Sequence, residues 1–163
     1  MNYPTRTHRI LLATSLTVAL VLLAGCDKSK EYAKLNARLA GYIQVGLELV
    51  DRQTSAGQMS AGTGLAIVNA LSAVNTINGE LIAESKKYLS PDGSALVFDP
   101  AGKAKVLQIV GSGKTIVVNL IESDAFASMD PANRKQWVEL LNNLTLTLDT
   151  LGEVVKAAKE VKQ

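Results

Sequence analysis

The C-terminal stretch PANRKQWVELLNNLTLTLDTLGEVVKAAKEVKQ, residues 131–163, has the strongest periodic pattern in the sequence. Its apolar residues recur at alternating spacings of four and three, at Trp137, Leu141, Leu144, Leu148, Leu151, Val155 and Ala158. This spacing places them on one face of an α-helix, whereas a half-buried strand would alternate with a period of two. Asp130-Pro131 precedes the pattern and is a helix-start signal, with Asp as the N-cap and Pro in the first turn. The stretch predicts a helix over about 131–161 whose apolar face needs other helices to cover it.

Two segments nearer the N-terminus show the same periodicity. The first has apolar or small residues at Leu35, Leu39, Tyr42, Gly46 and Leu49, and the second has its stripe at Ile67, Leu71, Val74, Asn78, Leu81 and Tyr88. The segment 53–64 is rich in Ser, Gly and Thr and indicates a connection. Ser90-Pro91-Asp92-Gly93 ends the second pattern, because proline cannot continue a helix. The sequence therefore predicts helices over about 31–53 and 65–89.

The segment 101–124 is apolar nearly all round and permits two interpretations. It fits a buried helix over about 100–124, and it fits a small β-hairpin within 96–121, since β-branched residues crowd after Thr115. Asp99-Pro100 is a second helix-start signal and favours the helix. The predicted fold class is all-α, an up-and-down four-helix bundle over 31–163, and the alternative is an α+β fold with that hairpin. Three connections between four helices would place both ends of the domain together.

The N-terminal residues have the layout of an export signal. Arg6, His8 and Arg9 precede an apolar stretch of about 14 residues, which is short of the ~20 that a membrane-spanning helix needs. Leu23-Ala24-Gly25-Cys26, which follows, resembles the lipobox of bacterial lipoproteins. The resemblance covers residues 1–26. It implies cleavage before Cys26 and a diacylglyceryl group on its sulfur, so we expect a signal peptide over 1–25 and a lipidated tether over 26–30.

The residues after the cysteine bear on the choice of membrane. In lipoproteins, Asp directly after the lipidated cysteine resembles a signal that retains the protein in the inner membrane, and Asp27 has that place here. Lys28-Ser29 resembles a retention signal of other bacterial lineages. We expect a lipid-anchored protein at the periplasmic face of the inner membrane, with the outer membrane as the alternative.

Composition excludes several classes of function. The chain has 163 residues, 47% of them apolar, which fits one domain. Its formal charge of +2 comes from 17 basic and 15 acidic residues, so removal of Arg6 and Arg9 leaves 15 of each, a balance that argues against a nucleic-acid partner. The sole histidine is His8 and the sole cysteine is Cys26, so after cleavage and lipidation no imidazole or free thiol is left for acid–base, nucleophilic or zinc chemistry. We expect no catalytic residues, no metal site and no cofactor.

Two remaining patterns do not restore an enzyme prediction. Gly111-Ser112-Gly113-Lys114-Thr115 invites a phosphate-loop interpretation, but that motif needs glycine where Gln108 stands, so no nucleotide partner is expected. The acidic residues have polar neighbours on predicted helix surfaces and indicate solvated faces, among them Glu48, Glu84, Glu139 and Glu153.

The function expected from the sequence is a non-enzymatic helical domain that serves as a protein-interaction or structural module of the cell envelope. Its partners would be the membrane, through Cys26, and an envelope protein. One concrete member of this class would be a superinfection-exclusion or immunity lipoprotein. The alternative is a binder of an apolar or lipid ligand, because glycines that each cost up to ~1 kcal/mol in a helix need a reason. Close helix packing is the other explanation for these residues, which are Gly41, Gly46, Gly79, Gly111 and Gly113.

Overall fold

The computed structural model describes residues 27–127 and 129–161, which form four α-helices packed side by side. They are α1 (Asp27–Ser55), α2 (Ala61–Ser85), α3 (Pro100–Glu122) and α4 (Pro131–Ala157). Each helix packs against its two neighbours, and the contact between α1 and α4 closes the ring. The predicted all-α four-helix bundle is confirmed.

Side chains at the helix starts explain three of these boundaries. The Asp99 carboxylate accepts a hydrogen bond from the Gly102 amide at 2.6 Å, and Asp130 accepts from the Ala132 and Asn133 amides at 3.0 and 3.1 Å. Both predicted N-caps are therefore present. Ser60 caps α2 in the same way, and this helix begins at Ala61, four residues earlier than predicted.

The alternative β-hairpin within 96–121 is wrong. Residues 100–122 are one helix, and glycines 111 and 113 lie inside it instead of forming a turn. Val97–Phe98 (β1) is a two-residue strand, and it pairs in parallel with Lys159–Glu160 (β2) after the end of α4. The pairing occurs because α4 returns the chain to the start of α3.

Helix α1 also begins earlier than predicted. The expected tether ends at residue 30, whereas α1 starts at Asp27 and leaves no slack after Cys26, which itself lies outside the described residues. The side chains of Ser29 and Tyr32 are both buried, and burial of this first turn extends the helix. The Lys28–Glu31 ion pair, at 3.3 Å, adds a contact one turn apart.

Both described chain ends lie at one end of the bundle. The Tyr32 hydroxyl donates to the Leu81 carbonyl oxygen at 3.2 Å, and the Ser29 hydroxyl donates to the Ser94 carbonyl oxygen at 3.5 Å. The Val161 amide donates to the Phe98 carbonyl oxygen at 3.0 Å. We call this end, formed by residues 27–34, 84–105 and 153–161, the terminal end. The opposite end, residues 48–60 and 122–139, is the distal end.

Close helix packing explains two of the five glycines. A Cβ atom on Gly46 would lie 2.7 Å from a Leu71 methyl and 3.1 Å from a Leu140 methyl, and one on Gly113 would lie 2.9 Å from an Ile77 methyl. Both are therefore close-approach positions in the core. The other three, Gly41, Gly79 and Gly111, have no atom within 4 Å of that position.

Candidate functional site

A groove of about 550 Å³ runs between α1 and α4 near the distal end. Its walls come from five residues of α1 and four of α4, namely Tyr42, Val45, Glu48, Leu49 and Arg52, and Gln136, Glu139, Leu140 and Asn143. Spacings of three and four place the wall residues on one side of each helix, between its core face and solvent. We call this surface the α1–α4 groove.

Two exposed apolar side chains lie in or near the groove. Val45, a wall residue, is 52% exposed, although its wall neighbours Leu49 and Leu140 are buried in the core. Leu146 is 65% exposed and follows the wall residue Asn143 by three positions, which places it about one turn further along α4. Exposed apolar residues with a polar rim are typical of surfaces that bind another molecule.

The rim of the groove carries charges of both signs. Glu48 accepts a hydrogen bond from the Gln44 amide at 3.1 Å, and Glu139 is 3.9 Å from the Lys135 ammonium. Arg52 adds a guanidinium beside Glu48 on the same helix face. Exposed pairs of this kind contribute little to the stability of the fold.

A buried hydrogen-bond chain holds the two walls in register. The Trp137 indole N–H donates to Gln53 Oε1 at 2.9 Å, and Gln53 Nε2 donates to Asn133 Oδ1 at 3.0 Å. The Asn133 amide in turn donates to the carboxylate of Asp130, the N-cap of α4. Trp137 is fully buried and its ring packs 5.7 Å from that of Phe126. The groove is therefore formed on a fixed scaffold.

The predicted sorting residues Asp27, Lys28 and Ser29 lie at the terminal end of the bundle, away from the groove. The lipobox residues Leu23, Ala24 and Gly25, like Cys26, lie outside the described residues. Asp27 is the first residue of α1, and Lys28 is exposed one residue later. Ser29 is fully buried, so a protein that binds this segment on the folded bundle reaches Lys28 and not the Ser29 hydroxyl.

Carboxylates at the terminal end are held by lysines or hydroxyls. Glu84, which the sequence predicted to be solvated, is buried and lies 2.8 Å from the Lys87 ammonium and 3.0 Å from that of Lys105. Its hydrogen bond to Lys87, followed by the one to Lys105, lowers the pKa of Glu84. Hydrogen bonds from Ser90 and Ser94 lower the pKa of Asp92 to about 2. These groups are therefore ionised, and the two lysines neutralise Glu84.

The glycine-rich segment 111–115 lies within α3. Interior helix amides are already bonded to carbonyl oxygens and cannot cradle a phosphate. The Lys114 ammonium pairs with Asp149 of α4 at 2.7 Å, so it serves to join two helices. Among the described residues, no cluster of three His, Cys, Asp or Glu side chains has the arrangement of a metal site.

No protein-family model, curated protein or solved structure significantly matches this chain. Two stretches of the described residues, Ala61–Tyr88 and Pro100–Glu122, are long and apolar enough to cross a membrane by length and composition. Both pack against neighbouring helices of the bundle, and 28% of each apolar window is buried there. The choice of the α1–α4 groove as the candidate site therefore rests on its geometry alone.

The groove was not predicted from the sequence. Tyr42 was placed in the apolar stripe of the first helix, but in the structure it is half-buried and faces the groove. A signal was present, because Val45 and Leu146 are apolar residues outside the predicted stripes. Single exposed apolar residues are common, however, and only the packing of α1 against α4 brings these two to one surface.

Proposed function

We propose that this protein is a lipid-anchored, non-enzymatic module that binds a protein of the cell envelope through the α1–α4 groove. Cys26 is the lipidated residue, and the periplasmic face of the inner membrane is the favoured location, with the outer membrane as the alternative. The observation that carries the proposal is the exposed apolar surface at Val45 and Leu146, on a rigid groove whose first helix starts one residue after Cys26.

The shape of the groove supports a protein partner. It is open to solvent and lies between two long helices, with exposed Leu146 about one turn beyond its α4 wall, so it offers a surface to another helix or an extended segment. Apolar anchors at the centre and charges at the rim are the usual arrangement of a protein–protein contact. The two carboxylates on the rim, Glu48 and Glu139, are exposed and are hydrogen-bonded or paired, which supports recognition in preference to catalysis.

The anchor and the partner are tested together by fractionation and site-specific crosslinking in cells. Wild type is expected in the membrane fraction, and Cys26→Ala is expected to leave it or to accumulate unprocessed, as intact mass would report. A photo-crosslinking residue at position 45 is expected to capture one envelope protein reproducibly. The same residue at position 65 is the control, because Leu65 is 62% exposed but lies on α2, away from the groove.

Charge substitutions in the groove give the decisive comparison. Leu146→Asp is expected to reduce capture at position 45 at least tenfold, since a desolvated carboxylate opposes an apolar contact. Leu65→Asp is matched in exposure and should leave this capture unchanged. Both variants change exposed residues, and their unfolding temperatures should stay within a few degrees of wild type. Equal capture by wild type and Leu146→Asp would refute the groove as the binding surface.

One observation also favours a second candidate, a small apolar ligand. The groove volume of about 550 Å³ falls within the usual range of ligand sites, about 300–1,000 Å³. Native mass spectrometry of the protein released from its membrane would show a retained adduct of lipid size. Loss of that adduct in Val45→Asp, with no crosslinked protein in cells, would favour the ligand over the protein partner.

A further inference from the structure

We propose that the terminal end of the bundle docks on the anionic lipid headgroups of the membrane that holds Cys26, through Lys30, Lys86 and Lys159. This inference rests on the proposed lipid anchor and adds an orientation to it. It places the groove on the side of the bundle, with the distal end pointing away from the bilayer.

The position of the chain end identifies the facing surface. Helix α1 starts at Asp27, so no linker residue lies between Cys26 and the first residue of the helix. The first turn is fixed to the body of the bundle, because Ser29 and Tyr32 are buried and both hydrogen-bond to the region around α2 and the following loop. Acyl chains on Cys26 would therefore hold the terminal end within one residue of the headgroups.

The charges of this end are not fully compensated. Glu31, Glu84 and Glu160 each pair with lysines, at 3.3, 2.8 and 2.8 Å for the shortest contacts. Lys30, Lys86 and Lys159 are exposed and make no ion pair within the described part of the chain. These three ammonium groups, together with that of the exposed Lys34 one turn further along α1, are therefore available at the terminal end.

The two ends of the bundle differ in sign. The terminal end has nine basic and seven acidic residues, whereas the distal end has three basic and six acidic residues. An anionic bilayer attracts the first end and repels the second, so charge and anchor favour the same orientation. Val161, which is 52% exposed beside Lys159, adds an apolar side chain suited to the interface.

The proposed binding partner of these lysines is a bilayer that contains anionic lipid. A lysine near such a surface gains about 1 kcal/mol, so each of the three changes the ratio of docked to undocked protein about fivefold. An acidic protein would be attracted to the same lysines, but the anchor places lipid there first.

The test measures lysine reactivity on the lipidated full-length mature protein. It is reconstituted into vesicles of phosphatidylcholine, with or without phosphatidylglycerol, and lysines are acetylated with a small water-soluble ester and read by mass spectrometry. Lys30, Lys86 and Lys159 are expected to react at least fivefold more slowly with phosphatidylglycerol present, and high salt should reverse the effect. Lys135, at the distal end and 78% exposed, is the internal control and should react equally in both.

The outcomes separate this inference from the anchor. Failure to float with phosphatidylcholine vesicles overturns the anchor and the docking with it. Flotation with equal rates in both vesicles overturns the docking and leaves the anchor, as does slowing of Lys135 to the same extent. Slowing that appears in cells but not with phosphatidylglycerol vesicles assigns the lysines to an acidic protein and overturns the lipid. The double variant Lys86→Gln, Lys159→Gln should restore the rate at Lys30, and Lys135→Gln should not.

Discussion

Gly111 and Gly113 stand two residues apart in α3 and have opposite surroundings. A side chain on Gly111 meets no atom within 4 Å, whereas one on Gly113 meets an Ile77 methyl at 2.9 Å and a Leu148 methyl at 3.3 Å. Ile77 is β-branched and Leu148 is fully buried, so neither gives way easily. The same substitution in one helix should therefore have opposite effects.

We predict that Gly111→Ala raises the free energy of unfolding by up to about 1 kcal/mol, because alanine is the better helix former. Gly113→Ala should lower it by about 1–2 kcal/mol, since overpacking costs about 1–3 kcal/mol and exceeds the helix gain. Urea unfolding of both variants beside wild type measures this. Stabilisation by Gly113→Ala would contradict the close packing of α3 against α2 and α4.

Tyr32 gives a prediction about alkaline pH. Burial disfavours the phenolate and raises the pKa of Tyr32 from 10 to about 12, while hydrogen bonds to Ser85 and Asn36 lower it by less. The folded protein holds this proton more tightly than the unfolded chain, so the contribution is complete below pH 10 and is lost as pH rises from 10 to about 12. Unfolding free energy should fall by about 2–3 kcal/mol over that range from this group.

The variant Tyr32→Phe should lose that alkaline component. At neutral pH it should cost about 1 kcal/mol through loss of the hydrogen bond to Leu81. Tyr42→Phe, in the groove, is the control for removal of a phenol and should keep the wild-type alkaline fall. Unfolding curves at pH 8 to 12 make the comparison, and an unchanged slope in Tyr32→Phe would refute the buried-phenol explanation.

At the scale of elements, the contact between α1 and α4 depends on Gln53. Its side chain accepts from Trp137 and donates to Asn133 within a buried site. Gln53→Leu should lower the free energy of unfolding by about 1–3 kcal/mol, because the indole N–H of Trp137 is left unsatisfied.

The control for this change is Gln44→Leu. The exposed Gln44 side chain donates a hydrogen bond to Glu48, and its replacement should lower the free energy of unfolding by at most ~0.5 kcal/mol. Tryptophan fluorescence during urea unfolding would follow both variants. Gln53→Leu should also weaken partner capture at position 45, since the groove walls depend on this contact. Wild-type stability of Gln53→Leu would show that the hydrogen-bond chain does not hold the two helices.

The helices were predictable because each carries its own local signal. Asp99-Pro100 and Asp130-Pro131 marked the starts of α3 and α4 correctly. Boundaries moved where the signal was tertiary: α1 extends to Asp27 because its first turn packs on a distant loop. The β1–β2 pair joins residues about 60 positions apart, so no local pattern announces it.

The candidate site was less predictable than the fold. The periodicity of apolar residues predicts which face of each helix is buried in the core. The groove is formed mainly by exposed and half-buried residues of two helices, which this periodicity does not identify. Asn36 shows the same difficulty in the core: it is buried, and its backbone carbonyl accepts a hydrogen bond from Asn78, but neither residue indicates its partner by spacing. Only the packed bundle brings such pairs together.

At the scale of the whole molecule, charge is unevenly divided among the helices. No charged residue occurs between residues 53 and 79, which include most of α2, whereas α1 has nine and α4 has six. The two charged helices, α1 and α4, form the groove, and α1 contains the first described residue, Asp27. The proposed anchor and binding surface therefore belong to one half of the bundle.

Because α1 starts at Asp27, the position of a residue along α1 sets its distance from the proposed anchor at Cys26. Val45 follows Asp27 by 18 residues, which at 1.5 Å each is about 27 Å of unbroken rod. With a lipid anchor at Cys26, the groove would therefore lie at a fixed distance from the bilayer. The protein would bind only those envelope components whose complementary region lies at the same distance from the membrane.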